Sequence, residues 1–82
     1  MKVLFFGSLR EQLGTGELST VLPDGVDTVG ELLVNLQAQG DEWKLALGMG
    51  NVLFAVNQDM VDENTTISDS DEVALFPPVT GG

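Results

Sequence analysis

An α+β fold, with one main helix lying across a mixed sheet, is predicted by three features of the sequence. Short runs rich in β-branched, aromatic and aliphatic residues recur at residues 3–6 (VLFF), 52–56 (VLFAV) and 72–76 (EVALF), which is the length and composition of strands. A single segment carries a clear helical period, with Val29, Leu32, Leu33 and Leu36 at i, i+3, i+4 and i+7 and so on one helical face. The order that results, strand, strand, helix and then several short strands, is that of one helix packed across one sheet.

Taken in order, residues 3–6 are apolar without alternation, and Gly7 bounds them. Successive strand residues face opposite sides, so an unbroken apolar run implies a cover on both faces. Ser8 and Glu11 have capping-box spacing and Gly14 supplies a stop, predicting a single helical turn. Residues 18–22 suggest a second strand, antiparallel to the first, closed by the turn Pro23-Asp24-Gly25. Thr28 and Glu31 form a second capping box that opens the main helix, and Gly40 ends it. Residues 41–47 add a short helical turn carrying Trp43, which Gly48, Met49, Gly50 and Asn51 break. Residues 52–56 form a third strand closed by Asn57, Gln58 and Asp59, and Met60 and Val61 a very short one. A loop over 62–66 and a turn over 68–71 lead into the last strand, 72–76. The best-known example of this arrangement is the β-grasp of ubiquitin. The expected organisation is a β-grasp domain over residues 1–76 and an extended tail over 77–82.

Composition removes several classes of function. With 82 residues and 43% hydrophobic content, the chain is one globular domain with little room for a deep catalytic cleft. Thirteen acidic residues against three basic ones give a formal charge of -10. Nucleic acid and anionic membrane surfaces would repel such a chain, whereas a basic protein partner would attract it. The sequence has no Cys and no His, which excludes disulfides, thiolate metal sites, cysteine nucleophiles and histidine acid–base chemistry. The apolar run near the start is interrupted by Arg10 and Glu11, too early for a signal peptide or a membrane span, so a cytoplasmic location is expected.

The acidic groups Asp59, Asp62, Glu63 and Asp69, Asp71, Glu72 are the densest. The second lacks the glycine and the bidentate glutamate of a calcium loop, so no metal site is assigned and both read as solvated turns. Nor do aromatic or basic residues interleave with them to build a cleft that would set two carboxylates apart as acid and base.

The ending FPPVTGG holds the remaining chemistry. Pro77 and Pro78 fix φ near -65°, push Phe76 into an extended conformation and donate no N–H, so the chain leaves the sheet stiffly. Val79, Thr80, Gly81 and Gly82 then carry progressively less side chain, giving a thin, flexible Gly-Gly tail able to thread a narrow channel. The reactive group that such a tail offers is the Gly82 carboxylate. It is ionised at neutral pH and resists nucleophiles, so chemistry there needs prior activation, most simply as an acyl adenylate. The sequence has no GxxxxGK[ST] loop with which to bind ATP by itself, so a separate activating enzyme is implied, and any sulfur must come from outside.

These residues carry a resemblance. VLFF at 3–6, Arg10 and Glu11, VNQ at 56–58 and DEVALFPPVTGG at 71–82 resemble the small, sulfur-carrying subunits of molybdopterin synthase along the whole chain. The resemblance implies a ubiquitin-like β-grasp and a cycle in which an adenylyltransferase related to ubiquitin-activating enzymes uses ATP to adenylate Gly82. A sulfur donor protein then converts it to a thiocarboxylate. The tail, Pro77, Pro78, Val79, Thr80 and Gly81, would enter the large subunit, and sulfur would pass to cyclic pyranopterin monophosphate to build the dithiolene. It further implies two small subunits flanking a dimer of large ones, catalytic side chains in the large subunit, and no cofactor bound by this chain. Phe6, Leu75 and Phe76 are the expected docking residues, with ordinary core burial as the competing fate. Other readings of the same residues are a sulfur carrier for another pathway such as thiamine synthesis, a ubiquitin-like modifier, or a non-covalent β-grasp interaction module with an inert tail.

Overall fold

The computed structural model describes residues 1–48 and 52–77. In chain order the elements are β1 (Lys2–Phe5), α1 (Gly7–Leu13), β2 (Glu17–Ser19), α2 (Val29–Gln37), α3 (Asp41–Leu47), β3 (Leu53–Val56), β4 (Asp59–Val61) and β5 (Glu72–Phe76). The strands form a mixed sheet in the order β2-β1-β5-β3-β4. β5, the last element, is therefore the middle strand: parallel to β1, with Leu4 opposite Ala74, and antiparallel to β3, with Leu53 opposite Phe76.

Helices cover one face of this sheet. Val3 and Phe5 of β1, Phe54 and Val56 of β3, and Val73 and Leu75 of β5 point into a core completed by Leu9, Val29, Leu32, Leu36 and Leu47 from the three helices. The alternation leaves Leu4, Ala55, Ala74 and Phe76 on the opposite face. Thr28 caps α2 through a reciprocal box, its hydroxyl accepting from the Glu31 N–H at 3.2 Å while the Glu31 carboxylate accepts from the Thr28 N–H at 3.0 Å. The expected antiparallel pairing of β1 and β2 and the Pro23–Gly25 turn are present, the latter closed by the Val26 N–H donating to the Pro23 carbonyl at 3.1 Å.

Four local expectations change. Gly40 does not end α2, which stops at Gln37 with Ala38 as its C-cap; Gly40 instead stands at the N-cap of α3. Ser8 does not cap α1: the helix starts at Gly7, with Phe6 at the cap position and no side-chain cap bond, so Ser8 already lies within the first turn. Gly14 does end α1, in the left-handed conformation with φ 72°. β2 covers Glu17–Ser19 and no more, because the following backbone is diverted: the Leu22 N–H donates to the Asp69 carboxylate at 2.7 Å. Residues 41–47 form a seven-residue helix, longer than a single turn. It is anchored by buried Ala46 and Leu47 and by Trp43, which meets the Phe5 ring edge-on at 5.5 Å between centroids. Of the break expected after it, Gly48 caps α3, and Met49, Gly50 and Asn51 lie outside the described residues.

Candidate functional site: the root of the tail and the open face of the sheet

The site begins where β5 ends. The Phe6 N–H donates to the Leu75 carbonyl at 3.1 Å, joining the end of β1 to the last turn of the ladder before Pro77, which has no N–H to continue it. One residue on, the rings of Phe6 and Phe76 stack with centroids 4.8 Å apart and planes 9° from parallel. Gly7 then turns the chain into α1 at φ +57°, and a Cβ there would lie 3.0 Å from Pro77 Cγ and 3.3 Å from Cδ. Phe6 thus holds Phe76 by its ring, and Gly7 lets Pro77 settle against bare backbone. The remaining expected tail residues, Pro78, Val79, Thr80, Gly81 and Gly82, lie outside the described residues.

The open face of the sheet continues from this corner. Reading across the register, Leu4 faces Ala74, Ala74 faces Ala55, and Ala55 faces Met60. Two alanines in the middle and longer side chains at the flanks make a trough, and Phe6 and Phe76 close one end while Gln58 and Glu72 close the other. The result is a groove of about 280 Å³. Its apolar walls are only partly covered: Phe6 is 42% exposed and Met60 62%. Large exposed apolar side chains gathered in one place mark interaction surfaces.

Of the three expected docking residues, Phe6 and Phe76 meet on this face. Leu75 does not join them: it points the other way, into the core, and is 1% exposed. Strand alternation makes that separation unavoidable for neighbours in sequence. The sequence alone gives Met60 no site role. Its signal was there, as the apolar middle residue of a strand between Asp59 and Val61, but its face depends on pairing with Ala55, which sequence periodicity over three residues does not define.

The other motif residues act as supports. Asn57 and Gln58 have φ of 51° and 74°, the positive pair that a tight two-residue hairpin between β3 and β4 requires. The Asn57 amide donates to Asp71 Oδ1 at 2.9 Å, and its oxygen accepts from the Glu72 N–H at 3.0 Å. The hairpin is thereby tied to the start of β5. Asp71 also accepts from the Ser68 N–H at 2.8 Å. The Asn57 side-chain bond, followed by the Ser68 backbone bond, holds the Asp71 carboxyl below its usual range. Asp69 is lowered as well, first by the Leu22 N–H and then by the N-terminal ammonium. Within the acidic clusters, Asp69 and Asp71 are thus turn latches and Asp62 accepts from the Asn64 N–H at 2.9 Å, while Asp59 and Glu72 lie in β4 and β5; among the described residues no three potential ligands converge on a metal position. Nor, among the described residues, is any helix long and apolar enough to cross a membrane.

Comparison with known proteins places this geometry in context. The model of the ThiS family matches residues 3–82. The chain is similar to the molybdopterin synthase sulfur carrier subunit of Escherichia coli (strain K12), at 48% identity over 82 residues, covering 100% of this chain and 99% of that relative. Among solved structures it is similar to the small archaeal modifier protein 1 (SAMP1) of Methanosarcina acetivorans, with a TM-score of 0.74, 29% identity, and coverage of 99% of this chain and 94% of that one. It is also similar to a chain of the complex of subunits 1 and 2 of the molybdopterin-converting factor from Helicobacter pylori 26695. There the TM-score is 0.65 and the identity 28%, over 99% of this chain and 96% of that one. The fold is the ubiquitin-like β-grasp, and the resemblance to sulfur-carrying small subunits of molybdopterin synthase is borne out.

Proposed function

The chain belongs to the ThiS family, and from that premise we propose that it is the sulfur-carrier subunit of a molybdopterin synthase, with its chemistry at the Gly82 carboxylate. The observation that supports this most is the full-length match to a subunit of that name, in which the two chains align from end to end. The steps follow from the carboxylate's own chemistry. As an anion it must first be activated, and a separate adenylyltransferase joins it to the adenylyl group of ATP with release of pyrophosphate. Hydrosulfide delivered by a donor protein then attacks the acyl carbon, AMP leaves, and a thiocarboxylate remains. In the large subunit that sulfur bonds to the pterin precursor, water then hydrolyses the resulting thioester at the acyl carbon, and Gly82 returns to a carboxylate while the sulfur stays on the pterin.

The folded domain serves this cycle by presenting and aiming the tail. Phe6, Phe76 and Met60 supply the apolar part of a docking surface for the large subunit. The acidic charge of -10 favours a basic face on that partner. Pro77, seated on Gly7, gives the tail its direction of exit. The chain binds no cofactor of its own, the catalytic side chains lie in the large subunit, and the cycle runs in the cytoplasm.

The modifier reading has one specific observation in its favour, the higher TM-score to SAMP1. It would put Gly82 in an amide bond to a lysine of another protein. The two separate in a reconstituted system: deleting Gly82, or adding one residue after it, should abolish sulfur transfer to the pterin while leaving the thermal midpoint unchanged. Full transfer by the extended chain, with the extension verified intact by mass, would contradict the carrier reading. Covalent adducts on lysines, with no transfer to the pterin, would favour the modifier.

A further inference from the structure

On the other side of the Phe6–Gly7 corner from the apolar groove lies a polar recess of about 530 Å³, walled by Gly7, Gly14 and Gly16 and carrying Arg10, Glu11 and Thr15. Gly16 does for Arg10 what Gly7 does for Pro77. A Cβ at Gly16 would lie 3.0 Å from Arg10 Nε, 3.2 Å from Cζ and 3.3 Å from Cδ, so the guanidinium lies directly on bare backbone. Gly16 is itself fixed, its carbonyl accepting from the Phe5 N–H at 3.0 Å. Arg10 is exposed, its guanidinium resting against this backbone, and among the described residues it forms no ion pair. The nearby Glu17 pairs with Lys2 at 3.7 Å, and the Thr15 hydroxyl is committed to the Glu17 carbonyl at 2.8 Å.

A chain with thirteen acidic and three basic residues has no shortage of carboxylates with which to neutralise an arginine. A guanidinium that lies against backbone beside the root of the tail and has no ion pair among the described residues points instead to an acceptor outside the chain. Its planar fork matches a carboxylate with two parallel hydrogen bonds. Glu11 on the same rim and the net charge of -10 disfavour multiply charged phosphates and nucleotides more than a single carboxylate, and a carboxylate carried on a basic protein surface arrives with its own compensating charge. Phe6 lines the groove and Gly7, the next residue in the chain, lines the recess, so a partner seated on the groove needs to extend only past that corner to reach Arg10.

Resting on the docking role proposed above, we infer that Arg10 is a register contact of that interface, pairing with an Asp or Glu of the large subunit beside the point where the tail enters. Its sign is opposite to that of the surrounding surface, so a partner displaced along the face would bring the guanidinium against basic groups. Opposed charges of this kind fix orientation more than they add raw affinity.

Charge alone and a specific pair predict opposite results. If Arg10 only adds to the overall field, neutralising it makes the chain more acidic and should tighten binding to a basic partner. With a specific pair, Arg10→Gln should speed dissociation and weaken Kd by about tenfold, with the association rate unchanged or faster. Arg10→Lys, which keeps the charge and loses the fork, should recover only part of the loss. The measurement is surface binding kinetics of the intact chain to the isolated large subunit, alongside Phe76→Ala, with thermal midpoints to confirm folding. Weakening by Phe76→Ala but not by Arg10→Gln would overturn the pairing and leave the docking role standing. Absence of binding by the unsubstituted chain would overturn both. A folded Arg10→Gln variant that binds as tightly as the parent, or tighter, contradicts the inference outright.

Discussion

The two faces of β5 are built to different ends from adjacent residues. On the inner face, Val73 and Leu75 are sealed beneath the helices, and their burial is complete within this chain. On the outer face, Ala74 supplies the floor of an open groove and Phe76 one end of it, with Phe6 and Met60 left substantially exposed. The inner face shows how the domain holds together. The outer face is apolar without being needed for that purpose, and it runs directly into the root of the tail. On the docking reading proposed above, an uninterrupted apolar strand is half a statement about stability and half about a partner.

Substitution of neighbours on opposite faces should break this comparison most sharply. Leu75→Ala removes a fully buried side chain and should cost about 2–5 kcal/mol of stability, a large share of what a domain of this size has. Urea unfolding would measure it. Phe76→Ala should cost only about 1–2 kcal/mol, from the ring stack and the half-buried area, but should weaken binding to the large subunit by about tenfold, read by calorimetry. Equal stability losses at the two positions, with no loss of binding at Phe76, would erase the distinction between the faces.

Both faces rest on the turn that starts β5, which gives the smallest effect. The Asp71 carboxyl, normally near 3.8, is lowered in the folded chain by its bonds from Asn57 and Ser68. A depressed folded value means that its contribution is fully present above the unfolded value and is lost as pH falls through the folded one. The difference in thermal midpoint between the parent and Asp71→Ala should therefore be constant from neutral pH down to about 5 and shrink below about 4. A difference that grew on acidification would show that Asp71 does not act through its ionised form.

Much of the fold was legible because local and long-range signals agree. The Thr28–Glu31 box, the α2 stripe, the Gly14 stop and the β5 boundaries all stand where spacing predicts. Misreadings arose where tertiary contacts prevailed. Ser8 looks like a cap, but the chain enters α1 one residue earlier at Gly7, where Pro77 packs. β2 looks longer than it is because Asp69, 47 residues from Leu22 in sequence, captures the backbone first. For the site, the composition of the tail suggested where the chemistry lies, and Phe6 and Phe76 followed from the apolar run. Leu75, Met60 and Arg10 could not be sorted in that way, since the first two depend on which face each strand shows and the third on a glycine brought close by the α1–β2 connection.

The central claim is that the Gly82 carboxylate carries sulfur, and intact-mass spectrometry tests it most directly. The chain would be incubated with ATP, the activating adenylyltransferase and a sulfur donor, then weighed whole and as its C-terminal peptide. The account predicts exchange of one oxygen for sulfur, confined to the peptide ending in Gly82 and dependent on ATP. An unchanged terminus, under conditions in which the same enzymes convert an established carrier, would contradict it.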